Sequence, residues 1–316
     1  MSTYSSYLDN PIFVVGVDRS GTTLLNMMLD AHPDMFITYE QRTIIKFYEK
    51  LDQYGNLSIE KNRLNLINDI LNDDNVKLNF PKATIADFKL AECQSFADII
   101  KNLYATVLRD QGKLIWGDKD PIYTQHIEVL NEIFPNAKFI HLIRDGRDVA
   151  LSLITKKWGP TTFTNAIRYW EKTILMTRRL LKMLNSNQTI ELRYEDLVYC
   201  PEENLRNLCL FLSIEYNSKM LSSYSEKAQD NSQIKTRISS VHNNILDRPN
   251  TAQTYKWKND LNSIDQAIAW EYAGEELKHF GYDSGRENHN LKVMRKAYYS
   301  LKEAYLYRLK SKKQNQ

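Results

Sequence analysis

The stretch Ile12-Phe13-Val14-Val15-Gly16-Val17-Asp18-Arg19-Ser20-Gly21-Thr22-Thr23 joins an apolar run, a turn bracketed by glycines and a hydroxylated helix start. Four consecutive apolar residues end at Gly16, and Leu24, Leu25, Met28 and Leu29 then recur at helical spacing. A buried strand therefore passes into a helix through a short loop. Gly21 permits close approach of the backbone, so the first-turn N–H groups and the hydroxyls of Thr22 and Thr23 can converge on one anion. The positive helix end adds about 0.3–1 kcal/mol per negative charge. Arg19, Ser20, Gly21, Thr22 and Thr23 are the candidate phosphate cradle.

The spacing Gly16-x4-Gly21 is that of a nucleoside-triphosphate loop, but Thr22 stands where the phosphate-bridging lysine would be and the cation, Arg19, lies inside the loop. A different phosphate donor is implied. Outward from this point, strand and helix patterns alternate. Residues 43–111 read mainly as helices broken by a polar stretch at 72–75, an insertion after the first strand–helix unit. A second strand is expected at 114–117, followed by Asp118-Lys119-Asp120-Pro121 and a helix running to Phe134. A further strand at 139–143 leads through Asp145-Gly146-Arg147-Asp148 into a helix over 149–154. Next come a helix at 163–184, a strand at 189–192, a helix at 201–212, one at 264–280 that stops at Gly281, and a basic one near 291–309. The pattern predicts a three-layer, P-loop-like α/β fold with a central parallel sheet flanked by helices, in a single domain over 1–316. Residues 226–260 are polar and lack a period, as expected of a functional loop, here a lid.

The 316 residues, 42% of them hydrophobic, are enough for a full core. A balance of 42 basic against 39 acidic residues excludes a nucleic-acid partner of the usual basic kind. No run approaches the roughly 18 apolar residues of a membrane span and no signal sequence precedes the first strand, so a cytoplasmic protein is expected. Cys93, Cys200 and Cys209 form no Cys-x-x-Cys pair, and the six histidines show no metal-ligand spacing, so neither a disulfide framework nor a metal is expected. Asn56-Leu57-Ser58 and Asn187-Gln188-Thr189 match the glycosylation pattern without a secretory context. The basic tail from Leu291 reads as a solvated helix face rather than a membrane-surface helix. Oligomeric state is unreadable.

Through Arg19 to Thr23 and Phe134-Pro-Asn-Ala-Lys-Phe-Ile-His-Leu-Ile-Arg-Asp-Gly-Arg-Asp, the chain resembles sulfotransferases that use 3′-phosphoadenylyl sulfate (PAPS) and release adenosine 3′,5′-bisphosphate (PAP). The likeness runs from Pro11 to about Gly281. It implies a 5′-phosphosulfate loop at Arg19–Thr23 and a 3′-phosphate signature from Arg144 through Ser152, assisted by Lys156. Tyr194 and Lys256 match family positions near the nucleotide, while Ser239 and Ser240 lie in the lid without a secure match. Within the family, Leu29-Asp30-Ala31-His32-Pro33, Glu40-Gln41-Arg42-Thr43-Ile44-Ile45 and Lys119-Asp120-Pro121 are most similar to tyrosylprotein sulfotransferases and bacterial relatives, from which Gln41 departs.

The resemblance implies that Glu40 is the catalytic base, that Arg42 helps hold the acceptor, and that Arg19 and Lys119 stabilise the departing phosphate. The expected acceptor is a hydroxyl or amine of a small molecule or glycan, with a tyrosyl peptide as the alternative. Read without the family, Glu40 could equally pair with Arg42 or a neighbouring helix, and Arg144 with Asp145 or Asp148. The rival enzyme is a P-loop kinase, with Asp145 as its magnesium-binding acid; the non-enzymatic rival binds nucleotide without transfer.

Overall fold

The computed structural model describes residues 7–224 and 251–283. Contacts group the described residues into two units: the first draws on Met1–Gly16, Gly21–Ile143 and Met176–Thr251, the second on Val17–Ser20, Arg144–Leu175 and Ala252–Gln316. The expected basic helix, Ser239, Ser240 and most of the expected lid lie outside the described residues.

The first unit is built on β1 (Ile12–Val15), β2 (Met35–Tyr39), β3 (Ile115–Lys119), β4 (Lys138–Ile143) and β5 (Thr189–Arg193). They form one parallel sheet in the order β2-β3-β1-β4-β5. The helices in chain order are α1 (Thr22–Asp30), α2 (Thr43–Tyr48), α3 (Glu60–Asn72), α4 (Asp74–Asn79), α5 (Phe96–Gln111), α6 (Ile127–Ile133), α7 (Gly146–Ile154), α8 (Phe163–Leu181), α9 (Tyr194–Tyr199), α10 (Pro201–Leu212), α11 (Lys219–Ser222), α12 (Trp257–Asp260) and α13 (Ser263–His279).

Side chains of a strand alternate between faces, and β1 divides accordingly. Phe13 and Val15 join a core with α3, α5 and α6, whereas Ile12 and Val14 join a second core with α1 and α10. The expected three layers are thus present in this unit. Phe13 is the hub of the first core, with ring centroids 5.5 Å from Tyr123, 5.6 Å from Phe139, 6.0 Å from Phe134 and 6.2 Å from Trp116. The insertion is helical as expected: α5 starts on a reciprocal Ser95–Asp98 capping box and ends on Gly112 in the left-handed region.

Two expectations need correction. No strand was expected between α1 and the insertion, yet β2 occupies Met35–Tyr39 at the sheet edge; its aromatic and β-branched run follows the Pro33-Asp34 turn and carries a strand propensity that was passed over. β3 begins one residue later than expected and runs on through Asp118 and Lys119, both fully buried. A rule that ends strands where charge begins fails there, because these charges have partners inside the protein.

In the second unit, α13 packs on α7. A Cβ on Gly146 at the start of α7 would fall 2.5 Å from the indole of Trp170, so glycine is required for that close approach. Truncation of the first unit's aromatic hub is the direct check on its core: Phe13→Ala is expected to lower stability by about 3–5 kcal/mol in urea denaturation, and a loss below 1 kcal/mol would contradict the packing described.

Candidate functional site

In a parallel sheet every strand ends on the same edge, and β1, β2 and β3 deliver Gly16, Glu40 and Lys119 there. Tyr39 pairs with Lys119 in register, and the Glu40 amide continues the ladder by donating to the Lys119 carbonyl at 2.8 Å. The Lys119 side chain is fully buried. Its ammonium donates to Glu40 Oε1 at 2.8 Å and to Thr23 Oγ1 at 3.3 Å, and lies 3.9 Å from the centroid of the Tyr39 ring. Burial alone would drive a lysine towards neutrality. The charge of Glu40 and the proximity of Tyr39 and Asp120 outweigh that effect and hold the Lys119 pKa above its usual value.

Arg42 donates through Nε to Asp120 Oδ2 at 3.2 Å, with the arginine side chain 60% exposed. Glu40 is therefore paired with the neighbouring strand, and the bond to Arg42 that the sequence left open is replaced by Arg42–Asp120. Between the two lies Gln41, buried, whose Oε1 accepts from Tyr104 Oη at 2.9 Å; Tyr104 in turn meets Thr38 Oγ1 at 2.8 Å. This network, which sequence reading missed, anchors the turn carrying both candidate residues.

α1 begins at Gly21, whose φ of 93° is accessible to few other residues, and no side chain caps its first turn. The Tyr194 ring lies against the glycine: a Cβ there would be 2.4 Å from it. Tyr194 thus packs on the turn that opens α1.

The second unit holds the other candidates. Arg19 Nε donates to Ser152 Oγ at 3.0 Å, and Arg144 donates through Nη1 to the Arg19 carbonyl at 3.0 Å and through Nη2 to the Gln253 carbonyl at 2.6 Å. Burial first, and then the charge of Arg19, lower the Lys156 pKa. Ser20 Oγ is buried and without a hydrogen-bond partner in the described structure, a hydroxyl suited to a phosphate oxygen. Lys256 is exposed at the start of α12. Of the counter-charges the sequence offers Arg144, Asp145 binds Arg147 through both carboxylate oxygens, at 2.9 and 2.8 Å, and Asp148 feels the Arg144 charge.

Asp148 also accepts from the Trp257 amide at 2.9 Å, and Trp257 stacks on the Arg147 guanidinium at 3.5 Å. Together they fix the segment carrying Lys256 on α7. Tyr169 likewise donates to the loop residue Asp18 at 2.9 Å. Among the described residues, the non-glycine positions with φ in the left-handed region are Arg19, Glu40, Arg42, Ser213 and Tyr255.

Residues 11–218 match the profile of the Sulfotransferase family. The chain belongs to that family. A protein-tyrosine sulfotransferase 1 of Danio rerio is 30% identical over 217 residues, covering 66% of this chain and 55% of its own length. The chain spans about half the length of the curated relatives it matches. Among solved structures, the sulfotransferase domain of the Synechococcus PCC 7002 olefin synthase superposes with a TM-score of 0.59 at 24% identity, over 87% of this chain and 96% of that one. Mouse sulfotransferase SULT7A1, solved with PAP, gives 0.50 at 14% identity over 85% of each chain. These structural likenesses bear on the fold, which is the sulfotransferase fold with its central five-stranded parallel sheet. Among the described residues no cluster of metal-binding side chains occurs, and no helix is long and apolar enough to cross a membrane.

The Asp148 carboxyl yields a pH prediction. Burial pushes it up to about 6, with Arg144 opposing and Asp145 adding to the rise. An unfolded aspartate titrates near 3.9, so between about pH 4 and 6 the folded state binds the extra proton, and this group's contribution to stability declines as pH rises through that window. Asp148→Asn, which keeps an acceptor for the Trp257 amide, is expected to raise the melting temperature relative to the parent at pH 7.5 and to lose that advantage at pH 4; equal shifts at both values would contradict the assignment.

Proposed function

We propose that this chain transfers a sulfuryl group from PAPS to an acceptor hydroxyl, with Glu40 as base and Lys119 as the cation facing the departing phosphate. The observation that carries this reading is the pairing of Glu40 with a fully buried Lys119 that also touches Thr23 of the phosphate loop. A carboxylate and an ammonium thereby meet at the ends of neighbouring strands, beside a helix start with no side-chain cap.

PAPS would supply a sulfur electrophile already bonded to a phosphate oxygen. Glu40 accepts the proton of the attacking hydroxyl as the new S–O bond forms, a role worth about 10²–10⁴ in rate. Lys119, with the first-turn amides of α1 and the hydroxyls of Thr22 and Thr23, stabilises the phosphate dianion left when the old S–O bond breaks. Ser20 Oγ, the Ser152 hydroxyl and the charges of Arg19, Arg144 and Lys156 bind phosphate oxygens, Arg144 and Ser152 being assigned to the 3′-phosphate. Tyr194 flanks the loop and Lys256 is the outlying contact. Arg42 holds the acceptor.

The relatives' names favour a tyrosyl peptide as the first acceptor to test, ahead of the small molecule or glycan expected from sequence. Because this donor needs no divalent cation at its phosphates, transfer should persist in EDTA, whereas nucleotide kinases need magnesium there. With labelled PAPS and a panel of tyrosyl peptides, glycans and small phenols or amines, Glu40→Gln is expected to reduce turnover at least about 100-fold without weakening PAP binding. Undiminished turnover would remove Glu40 from the chemistry, and transfer abolished by EDTA would favour a kinase.

A further inference from the structure

An ammonium has three hydrogens, and each one on Lys119 already faces a partner: Glu40 Oε1, Thr23 Oγ1 and the Tyr39 ring. The side chain is fully buried, so water supplies no fourth. For Lys119 to meet a leaving phosphate oxygen, one of these contacts must be given up. Thr23 belongs to the phosphate loop itself and the Tyr39 ring offers a nondirectional face, which leaves the bond to Glu40 as the one to exchange. While that bond holds, the ammonium stabilises the carboxylate and makes Glu40 a poor proton acceptor; the same attraction, seen from the other side, helps hold the Lys119 pKa up.

We propose that the donor's phosphate and Glu40 compete for Lys119, so that donor binding unmasks the base, and that Tyr39 is a positioning residue whose ring retains the ammonium through the exchange. This rests on the reading of the site as a PAPS site. In the donor-free protein the base is held idle by the cation it will later work beside, and the protein activates an acceptor only after the donor has arrived. The charged and titratable groups facing the pair are Asp120 and Arg42 beyond β2 and β3, and Tyr39 on β2. Asp120 is bound to Arg42, which leaves Glu40 as the anion bonded to Lys119. The exchange involves side-chain atoms, while the Glu40 amide donates to the Lys119 carbonyl at 2.8 Å and ties the two backbones together.

The test is a double-mutant cycle read by calorimetric binding of PAP, using Glu40→Gln, Lys119→Met and the double variant. Removal of the competitor is expected to tighten PAP binding about threefold to tenfold in Glu40→Gln, and this gain should vanish in the Lys119→Met background. Plain repulsion between Glu40 and the phosphates would tighten both backgrounds alike, and that result, or no tightening in either, would overturn the proposal. Tyr39→Phe should keep PAP affinity while Tyr39→Leu loses it, and equal affinity in the two would remove Tyr39 from the scheme. A parent protein that binds PAP no better than AMP would instead overturn the assignment of the site.

Discussion

A charged lysine held out of water at the end of a central strand is the constraint around which the site is arranged. Lys119 is fully buried, so the surroundings must supply both a counter-charge and hydrogen-bond partners. The parallel register does this. With Tyr39 opposite Lys119, the next residue of that chain, Glu40, reaches the ammonium, and the start of α1 brings Thr23 to it. Remove the cation and the carboxylate at 40 loses its charge-assisted bond to β3; remove the carboxylate and the cation loses its bonded counter-charge. Each explains why the other is tolerated.

The backbone carries a second cost at the same places. Of the described non-glycine residues with left-handed φ, Arg19, Glu40 and Arg42 are candidate functional residues and Tyr255 precedes another, Lys256. Such conformations cost on the order of 1–3 kcal/mol each and persist only where surrounding structure over-determines them. At 40–42 that structure is visible: buried Gln41 sits between the two strained residues, held by Tyr104, which also binds Thr38. At 255 it is the Asp148 carboxylate gripping the Trp257 amide, with the Trp257 ring on Arg147. Strain and anchoring occur together, as expected where side-chain direction matters more than stability.

The strand-to-helix turns at Gly16–Thr23 and Asp145–Gly146 were legible from sequence because their signals are local: an apolar run, a glycine, then helical periodicity. Helices such as Pro201–Leu212 were equally readable from their breakers and period. β2 was overlooked because its short aromatic run sits between two motifs, and the end of β3 was set too early because Asp118 and Lys119 look like loop residues until their partners are known. The identities of Glu40, Lys119 and Arg19 were carried by family likeness. Their partners were not readable: Glu40 meets a residue 79 positions away, Arg19 one 133 positions away, and no local rule links them. The Arg19–Ser152 contact in particular joins residues that the sequence assigned to different phosphates.

The proposed donor carries phosphates at both the 5′ and 3′ positions. Calorimetric titration of the purified protein with PAP and with AMP tests this most directly. The account predicts that PAP binds at least about tenfold tighter and that Arg144→Ala erases most of the difference while leaving AMP binding nearly unchanged. Equal affinities for the two nucleotides would contradict it.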